Sequence, residues 1–429
     1  MDTKQVLAHL RNVKRENLET IVLYLFAFFS MLSIGLSTVF IWILTFIVIL
    51  DKKRWKGFYK RPMFWLFLVS FLYLVGSTIH GCILFPEEKK LQLDDATRWL
   101  RLWLFLSVGT TINGDEQKAL NILKLALIGF LLSIIIYIVK HPNILITMSR
   151  SGFGHKIIAY ALYSSTAIIG IIIFFPRTFH LKKFKFFLAC IWFIVIILLT
   201  QTLIITRSRG VWLAILIVLP ITVFFYYFKK NKKYLKWNIG IVIVLIIIFI
   251  INFNKIIKHR LMVEYPTLKF IIEKKENFII SNSIGVRYFL FKLGIKKFFE
   301  KPILGWGTGS TIPLIKESKN KKLQVIIKNK IKWRDHFHNF YIEICVRFGL
   351  IGMILIGSTI SFLLIKLYRI KNIISYDIYL FLISILGLIS IYSLSDFRHL
   401  HPDFRFYWAL IGGVTYGLSI RHDNKRHPT

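Results

Sequence analysis

Apolar residues in this chain occur in runs of roughly membrane-crossing length, separated by short basic segments. About twenty apolar residues in a helix cross the hydrocarbon core of a bilayer, so runs of this kind predict transmembrane helices. Beyond residue 63 the predicted spans are Phe64–Leu84, Leu100–Ile112, Ala119–Ile138, Ile157–Phe175, Phe186–Ile205, Val211–Phe228, Ile239–Ile251, Tyr341–Leu363, Ile378–Leu394 and Phe406–Ile420.

The first apolar run, Ile21–Leu50, is too long for one straight span. As a single helix it would extend about 45 Å, against a hydrocarbon core of roughly 30 Å. One span would also place the basic N-terminal tail and the basic segment Asp51–Arg61 on opposite faces, against the positive-inside rule. We therefore expect two short, tilted helices that break around Ser33-Ile34-Gly35, which brings the expected total to twelve.

Composition agrees with an all-α integral membrane protein of about twelve transmembrane helices. Of the 429 residues, 55% are hydrophobic, and the mean hydropathy is +0.61. The formal net charge of +37 could suggest nucleic acid. However, the basic residues cluster between the apolar runs, which points to membrane topology and to anionic membrane lipid. Nucleic acid is therefore not an expected partner.

The basic clusters also predict how the chain is oriented in the membrane. They divide it into three regions. Both termini are expected in the cytoplasm, because the segments on that side carry most of the Lys and Arg of the short loops. Residues 1–253 would hold helices one to nine, residues 254–339 a large periplasmic loop, and residues 340–429 helices ten to twelve. The loop is rich in lysine, but loops longer than roughly 60 residues escape the charge rule.

Two features stand out within the long loop. Val286, Phe289, Leu290 and Leu293 follow i, i+3, i+4, i+7 spacing, which predicts an amphipathic helix lying on the membrane or against other helices. The cluster Gly305-Trp306-Gly307-Thr308-Gly309-Ser310 follows. It lacks the Lys-Ser/Thr of a phosphate-binding loop and any flanking strand, so we interpret it as a structural turn.

A His-Asn pair, His338-Asn339, lies where the charged loop meets the next apolar run. The pair could be an interfacial helix cap, or His338 could act in proton transfer or hydrogen bonding, since an imidazole is suited to both near neutral pH. Asp335, His336 and His338 also crowd together, and His399 and His401 repeat the H-x-H spacing. Either set could donate ligands to zinc, but no H-E-x-x-H spacing accompanies them, and we expect no metal.

Candidate anion-binding residues lie in the outer segments. Thr206-Arg207-Ser208-Arg209-Gly210 joins two spans, and its arginines could reach the headgroups or bind phosphate in a bidentate way. Arg287 is a weaker candidate on the amphipathic segment. Asp396 and Asp403 flank a loop in which acids and bases alternate, and local salt bridges are the simplest interpretation of that loop.

Four of these elements resemble the O-antigen ligase family, whose members join lipid-linked O-antigen to lipid A-core. His338-Asn339, nine residues, Gly349, two residues and Gly352 resemble the signature H-[NSQ]-x9-G-x-x-[GTY]. Arg209-Gly-Val-Trp-Leu213 resembles the family's R-x3-L element. The similarity includes Ser283-Ile284-Gly285-Val286-Arg287 and Leu394-Ser395-Asp396. It covers the second half of the chain, whereas the first six spans resemble the family only in hydropathy.

The resemblance implies a glycosyltransferase in the bacterial inner membrane with its active site facing the periplasm. The donor would be a glycan on undecaprenyl diphosphate and the acceptor a hydroxyl of lipid A-core, with inversion at the anomeric carbon and no metal or other cofactor. It implies that Arg209 and Arg287 bind the diphosphate, that His338 is the base, and that Asp396 supports His338 or an arginine. Asp403 stays open as an alternative to Asp396.

Two other functions remain open from the sequence. O-antigen polymerases carry the same signature and use the same donor with a different acceptor. A polysaccharide or lipid transporter is a third possibility, in which the basic outer loop would be a vestibule. Transporters commonly carry charged residues within their spans, and the middles of these spans are nearly free of charge, which favours an enzyme.

Overall fold

The structure is a computed structural model. It describes residues 3–52, 57–180, 185–230, 258–273, 283–318 and 335–426, together with the isolated positions 240, 243, 247 and 250. Every regular element within these ranges is helical, which confirms the all-α expectation. The predicted span Ile239–Ile251 lies largely outside the described residues.

The helices are joined by short turns in the first half of the chain. Three of the connections are short 3-10 helices, at Pro86–Glu88, Arg101–Leu104 and Phe175–His180. The α-helices of this half are α1 (Thr3–Phe29), α2 (Ile34–Ile49), α3 (Pro62–Leu84), α4 (Lys89–Leu100), α5 (Phe105–Ile112), α6 (Glu116–Lys140), α7 (Ile144–Thr147), α8 (Ile157–Phe174), α9 (Lys185–Thr206) and α10 (Arg209–Lys230).

The second half contains the helices that carry most of the candidate residues. Within the predicted long loop the described helices are α11 (His259–Ile272), α12 (Ser283–Glu300) and α13 (Thr311–Lys316). After it come α14 (Phe340–Arg369), α15 (Tyr376–Ser393) and α16 (Pro402–Arg426).

Seven of the described helices are long and apolar enough to cross a membrane, and α2 is a shorter apolar helix. The long ones are α3, α6, α8, α9, α10, α14 and α15. The protein is thus a multi-pass membrane protein. The total of twelve spans and the side on which the long loop lies stay predictions.

The expected break in the first apolar run is confirmed. Helix α1 ends at Phe29 and α2 begins at Ile34, so the break falls just before and within the predicted Ser33-Ile34-Gly35. The Ser33 hydroxyl caps α2 by accepting a hydrogen bond from the Leu36 amide at 3.5 Å. The two helices then pack against each other along their length.

The predicted span Leu100–Ile112 is not one straight helix. A 3-10 turn at Arg101–Leu104 separates α4 from α5, and α5 is only 8 residues long. An eight-residue helix rises about 12 Å, less than half the hydrocarbon core. All eight residues of α5 are buried, so its apolar character comes from packing inside the protein and not from contact with lipid.

Close packing of α5 on α16 explains this burial. A Cβ atom on Gly109 would lie 3.1 Å from the Gly417 nitrogen and 3.1 Å from the Gly413 oxygen. The Gly114 amide donates to the Gly417 carbonyl at 2.8 Å. The spacing of Gly413 and Gly417 is the small-xxx-small pattern that lets membrane helices approach closely. Hydropathy alone does not distinguish such a helix from a span.

The amphipathic helix expected around Val286 is confirmed as α12. Of the two placements left open, the structure has it packed against other helices: Val286 and Leu290 are buried in a cluster with Phe337 and Val346. Gly294 lets α12 approach the start of α14 and the segment before it, since a Cβ there would lie 2.4 Å from Ile342 Cγ2 and 3.3 Å from Phe337 Cδ1. Helix α12 therefore positions both Arg287 and the His338 segment.

A kink in α14 accounts for the first glycine of the signature. Gly349 has φ 59° and ψ −158° inside the helix, and a Cβ there would lie 2.2 Å from the Ile303 carbonyl oxygen. The Leu350 amide donates to the Pro302 carbonyl at 2.8 Å. In return, the Trp306 amide donates to the Val346 carbonyl at 2.9 Å. The glycine-rich turn is thus joined to the kink by backbone hydrogen bonds, as its structural interpretation expected.

Candidate active site

Three of the four predicted site residues lie together, because Arg287 and His338 both approach the carboxylate of Asp396. Asp396 Oδ2 lies 3.2 Å from Arg287 Nη2, and Asp396 Oδ1 lies 3.6 Å from His338 Nδ1. His336 Nε2 lies 3.2 Å from the same Oδ1 atom. We call Arg287, His336, His338 and Asp396 the Asp396 cluster. Its members come from three distant parts of the sequence.

The His-Asn pair is held by backbone conformation and by a helix cap. His338 has φ 55°, in the left-handed region that few residues other than glycine adopt. Asn339 then caps α14, because its Oδ1 atom accepts from the Ile342 amide at 3.0 Å. Its Nδ2 atom donates to the Leu394 carbonyl at 2.9 Å. Asn339 therefore joins the His338 segment to the segment that carries Asp396.

Arg209 lies at the start of α10, in the turn that follows α9. The next residue, Gly210, packs directly on Ser395, since a Cβ there would lie 1.8 Å from Ser395 Oγ. This contact brings the turn beside the Asp396 cluster. The Arg209 guanidinium forms an ion pair with Glu264 on α11. Arg207 instead donates to the Met148 carbonyl at 3.1 Å and so supports a neighbouring loop.

Burial and hydrogen bonding set the charges in the Asp396 cluster. Burial lowers the pKa of His336 to about 3, helped by the nearby His338, so His336 is neutral at physiological pH. Burial alone would raise the pKa of the Asp396 carboxyl, but hydrogen bonds from His336 and His338 outweigh it and hold that pKa well below its usual range. An ionised Asp396 thus accepts a hydrogen bond from the neutral imidazole of His336.

The loop after α15 separates Asp396 from its sequence competitor. Asp403 lies in another group, where His401 Nδ1 is 3.3 Å and His155 Nδ1 is 4.0 Å from its carboxylate. The expected local salt bridges are present in part, since Arg398 Nε lies 3.9 Å from Asp396 Oδ1. His399 stacks on Phe340 with ring centroids 3.8 Å apart. Asp396, and not Asp403, is therefore beside His338.

One of the two H-x-H pairs belongs to a group that could hold a metal ion. Among the described residues, His336, His338 and Asp396 each offer one ligand atom, and these atoms lie within 4.8 Å of one another. Two imidazoles and a carboxylate are a possible ligand set for zinc. However, both oxygens of Asp396 already interact with other groups, Oδ2 with Arg287 and Oδ1 with the Phe397 amide at 2.7 Å.

A second buried group of charged residues lies next to the Asp396 cluster. Arg347 Nη1 is 2.6 Å from Asp95 Oδ2, and Arg347 Nη2 is 2.7 Å from Glu343 Oε1. Thr311 donates to Glu343 at 2.5 Å. Glu343 Oε2 accepts from the Phe337 amide at 2.9 Å, which ties this group to the His338 segment. We call Asp95, Thr311, Glu343 and Arg347 the Arg347 network.

Comparison with known proteins bears on the resemblance found in the sequence. Residues 193–357 match the family model described as O-antigen ligase. The resemblance to the O-antigen ligase family is thereby confirmed. The matched segment contains Arg209, Arg287 and His338, while Asp396 lies beyond its end.

A relative outside the family model extends the similarity. An uncharacterized protein of Haemophilus influenzae is 26% identical over 345 residues, which cover 66% of this chain and 80% of that protein. The similarity to it thus reaches well beyond the segment that matches the O-antigen ligase model.

Sequence reasoning missed two members of this site. His336 was considered only as a metal ligand, and its ring centroid lies 4.1 Å from that of His338. Its position two residues before His338 was the only sequence signal. Glu264, the partner of Arg209, had no signal, because it lies in a lysine-rich loop more than fifty residues away from Arg209.

Proposed function

We propose that this protein is an O-antigen ligase. It transfers a glycan from undecaprenyl diphosphate to a hydroxyl of lipid A-core, with inversion, at the periplasmic face of the bacterial inner membrane. The observation that carries the proposal is that Arg287 and His338 both lie beside the Asp396 carboxylate. The turn that carries Arg209 packs on the neighbouring Ser395. The O-antigen ligase match supports the reaction class.

In this proposal His338 is the general base. The ionised Asp396 near Nδ1 favours the tautomer that carries its proton on Nδ1, which places the basic lone pair on Nε2. Nε2 accepts the proton of the acceptor hydroxyl as that oxygen attacks the anomeric carbon. The bond from this carbon to the diphosphate oxygen breaks, and its electron pair leaves with undecaprenyl diphosphate.

Arg209 and Arg287 stabilise the leaving group. Negative charge develops on the diphosphate as the bond breaks, and guanidinium groups bind such oxygens through paired charge-assisted hydrogen bonds. Each arginine is paired with a carboxylate in this structure, Arg209 with Glu264 and Arg287 with Asp396. The donor diphosphate would share these arginines with the two carboxylates. No metal is required, because the arginines supply the positive charge.

His336 has a supporting role in this proposal. It is neutral and buried, and its Nε2–H group donates to Asp396. It thereby holds the carboxylate in place between His338 and Arg287 without adding charge. The role is that of a positioning residue.

A deletion experiment distinguishes the ligase from the polymerase. Cells that lack a ligase accumulate full-length glycan on undecaprenyl diphosphate and make bare lipid A-core, because the polymer has no route to its acceptor. Cells that lack a polymerase make lipid A-core capped by a single repeat unit. We expect the first pattern on gel analysis of the lipopolysaccharide. A ladder that collapses to one capped repeat would show that the protein is a polymerase.

A further inference from the structure

A polar cavity of about 790 Å³ lies beside the Asp396 cluster, between α4, the loop after α15 and the start of α16. Its size falls within the range of roughly 300–1,000 Å³ that holds small-molecule ligands. His336 and Arg398 line it, and both lie within 4 Å of Asp396 Oδ1. The cavity therefore shares a wall with the proposed active site.

Positive charge dominates the cavity lining. Five arginines and three aspartates line it, a difference of +2. The arginines are Arg98, Arg101, Arg347, Arg398 and Arg405. Two of these arginines share one aspartate, since Asp95 lies 2.6 Å from Arg347 and 3.0 Å from Arg98. Arg101 and Arg405 have no carboxylate partner among the described residues.

Among these side chains, Arg405 gives the strongest evidence for a bound anion. It is 7% exposed, and its Nε and Nη1 atoms are buried without a hydrogen-bond partner among the described residues. A buried guanidinium with unpaired donors destabilises the fold unless an anion binds there. The protein thus retains a costly group at the wall of a cavity that an anionic ligand could enter.

We propose that this cavity binds an anionic substituent, a phosphate or a carboxylate, on the sugar of the acceptor glycolipid. The proposal rests on the proposed function for the identity of the acceptor. Arg287 contacts Asp396 through Oδ2, whereas His336 and Arg398 approach Oδ1 from the cavity. Donor and acceptor therefore have separate cationic sites on two sides of the cluster. This arrangement is compatible with displacement with inversion, in which the attacking and leaving oxygens lie on opposite faces of the anomeric carbon.

Binding to the full-length protein in nanodiscs of phosphatidylcholine tests the proposal without turnover. The probes are lipid A-core in intact, dephosphorylated and carboxyl-reduced forms, which separate the two sources of negative charge. We expect the wild type to bind the intact form roughly tenfold more tightly than one of the stripped forms, the usual effect of a lost charged hydrogen bond. That preference should disappear in Arg101→Gln and Arg405→Gln. It should persist in the matched control Arg369→Gln, which removes an exposed arginine at the end of α14.

Folding is controlled by thermal denaturation without ligand. Arg405→Gln should unfold at the wild-type temperature or above it, because the substitution removes a buried charge that has no carboxylate partner among the described residues. A marked fall in that temperature would show that Arg405 has a structural role and would overturn the proposal.

Other outcomes would also overturn it. One is that the wild type binds all three forms of lipid A-core with equal affinity. Another is that Arg101→Gln and Arg405→Gln keep the wild-type preference for the intact form. A loss of affinity for undecaprenyl diphosphate in place of the acceptor would assign the cavity to the donor. Failure of the proposed function would look different: the preference for the intact form would remain, but no glycan would reach lipid A-core in a transfer assay.

Discussion

The Arg347 network and the Asp396 cluster are neighbouring groups of arginine and carboxylate, but they differ in how their charges are used. In the Arg347 network the arginine side chain is 2% exposed and that of Glu343 is 0% exposed. Arg347 is bonded to two carboxylates, to the Thr311 hydroxyl and to the Thr308 carbonyl. In the Asp396 cluster the Arg287 side chain is 32% exposed, and that of nearby Arg209 is 29% exposed.

This difference in exposure indicates that the Arg347 network is a structural scaffold, whereas the Asp396 cluster can bind ligands. A buried ion group whose donors and acceptors are all bonded fixes the conformation of the elements it joins, here α4, the glycine-rich turn and α14. Arginines that remain about one third exposed can still bind a ligand. The two groups meet at the Phe337 amide, so the Arg347 network supports the segment that carries His338. In the proposed function, the more exposed arginines face the substrates.

Removing Arg347 should have the largest effect, and it should act on folding. Arg347→Ala leaves the buried Glu343 without its cation and Asp95 with Arg98 alone, and breaking a buried ion pair in this way typically destabilises a protein by roughly 3–5 kcal/mol. We expect little folded protein in the membrane, measured by detergent extraction and thermal denaturation. Arg369→Ala, in the same helix but exposed, should resemble the wild type. Equal stability of the two variants would show that the network is no scaffold.

Replacing His338 should have the next largest effect, and it should act on the reaction alone. His338→Ala should slow transfer by on the order of 10²-fold to 10⁴-fold, the usual loss for a missing general base. His338→Gln should be nearly as inactive, since glutamine can keep a hydrogen bond but cannot take the proton. Donor binding and thermal stability should be retained in both variants.

The matched control for His338 is His141→Ala, which changes an exposed histidine just after α6. It should transfer glycan at the wild-type rate. Wild-type activity in His338→Ala would refute the role of His338 as the base. The His-Asn pair would then serve only as a helix cap.

Replacing Arg209 should reduce transfer less than the loss of the base. Arg209→Ala should lower it roughly tenfold to a hundredfold, the effect of losing charged hydrogen bonds to the diphosphate. Arg209→Lys should recover only part, because lysine lacks the forked donors. Arg207→Ala should retain more activity, since Arg207 bonds the Met148 carbonyl. If both Arg209 variants transfer like the wild type, the side chain only reaches the headgroups.

Chelation should have the smallest effect. Treatment with EDTA should leave the transfer rate unchanged, because Arg209 and Arg287 supply the charge that a metal would bring to the diphosphate. Loss of turnover that zinc or magnesium restores would instead make His336, His338 and Asp396 a metal site.

The sequence was informative where local pattern decides the structure. The break before α2, the helix of Val286 and Leu290, and the place of His338 before α14 all follow from runs of polar and apolar residues. Arg209, Arg287 and Asp396 were selected by resemblance to a family together with their outer positions. Their selection needed no knowledge of distances.

The features that could not be predicted from the sequence depend on contacts between residues that are distant in the chain. The span expected at Leu100–Ile112 failed because hydropathy cannot tell burial against Gly413 and Gly417 from burial in lipid. Arg209 and Glu264 form an ion pair but lie more than fifty residues apart in sequence and share no motif. The cavity arginines Arg101 and Arg405 lie about three hundred residues apart in sequence and share no motif.

The most direct test of the account is glycan transfer by the purified protein in lipid. The donor is glycan on undecaprenyl diphosphate, and lipid A-core and a second lipid-linked glycan are offered separately as acceptors. The account predicts glycosylated lipid A-core, no elongated lipid-linked glycan, and loss of the product in His338→Ala. Elongation of the second glycan with lipid A-core left unmodified would contradict it.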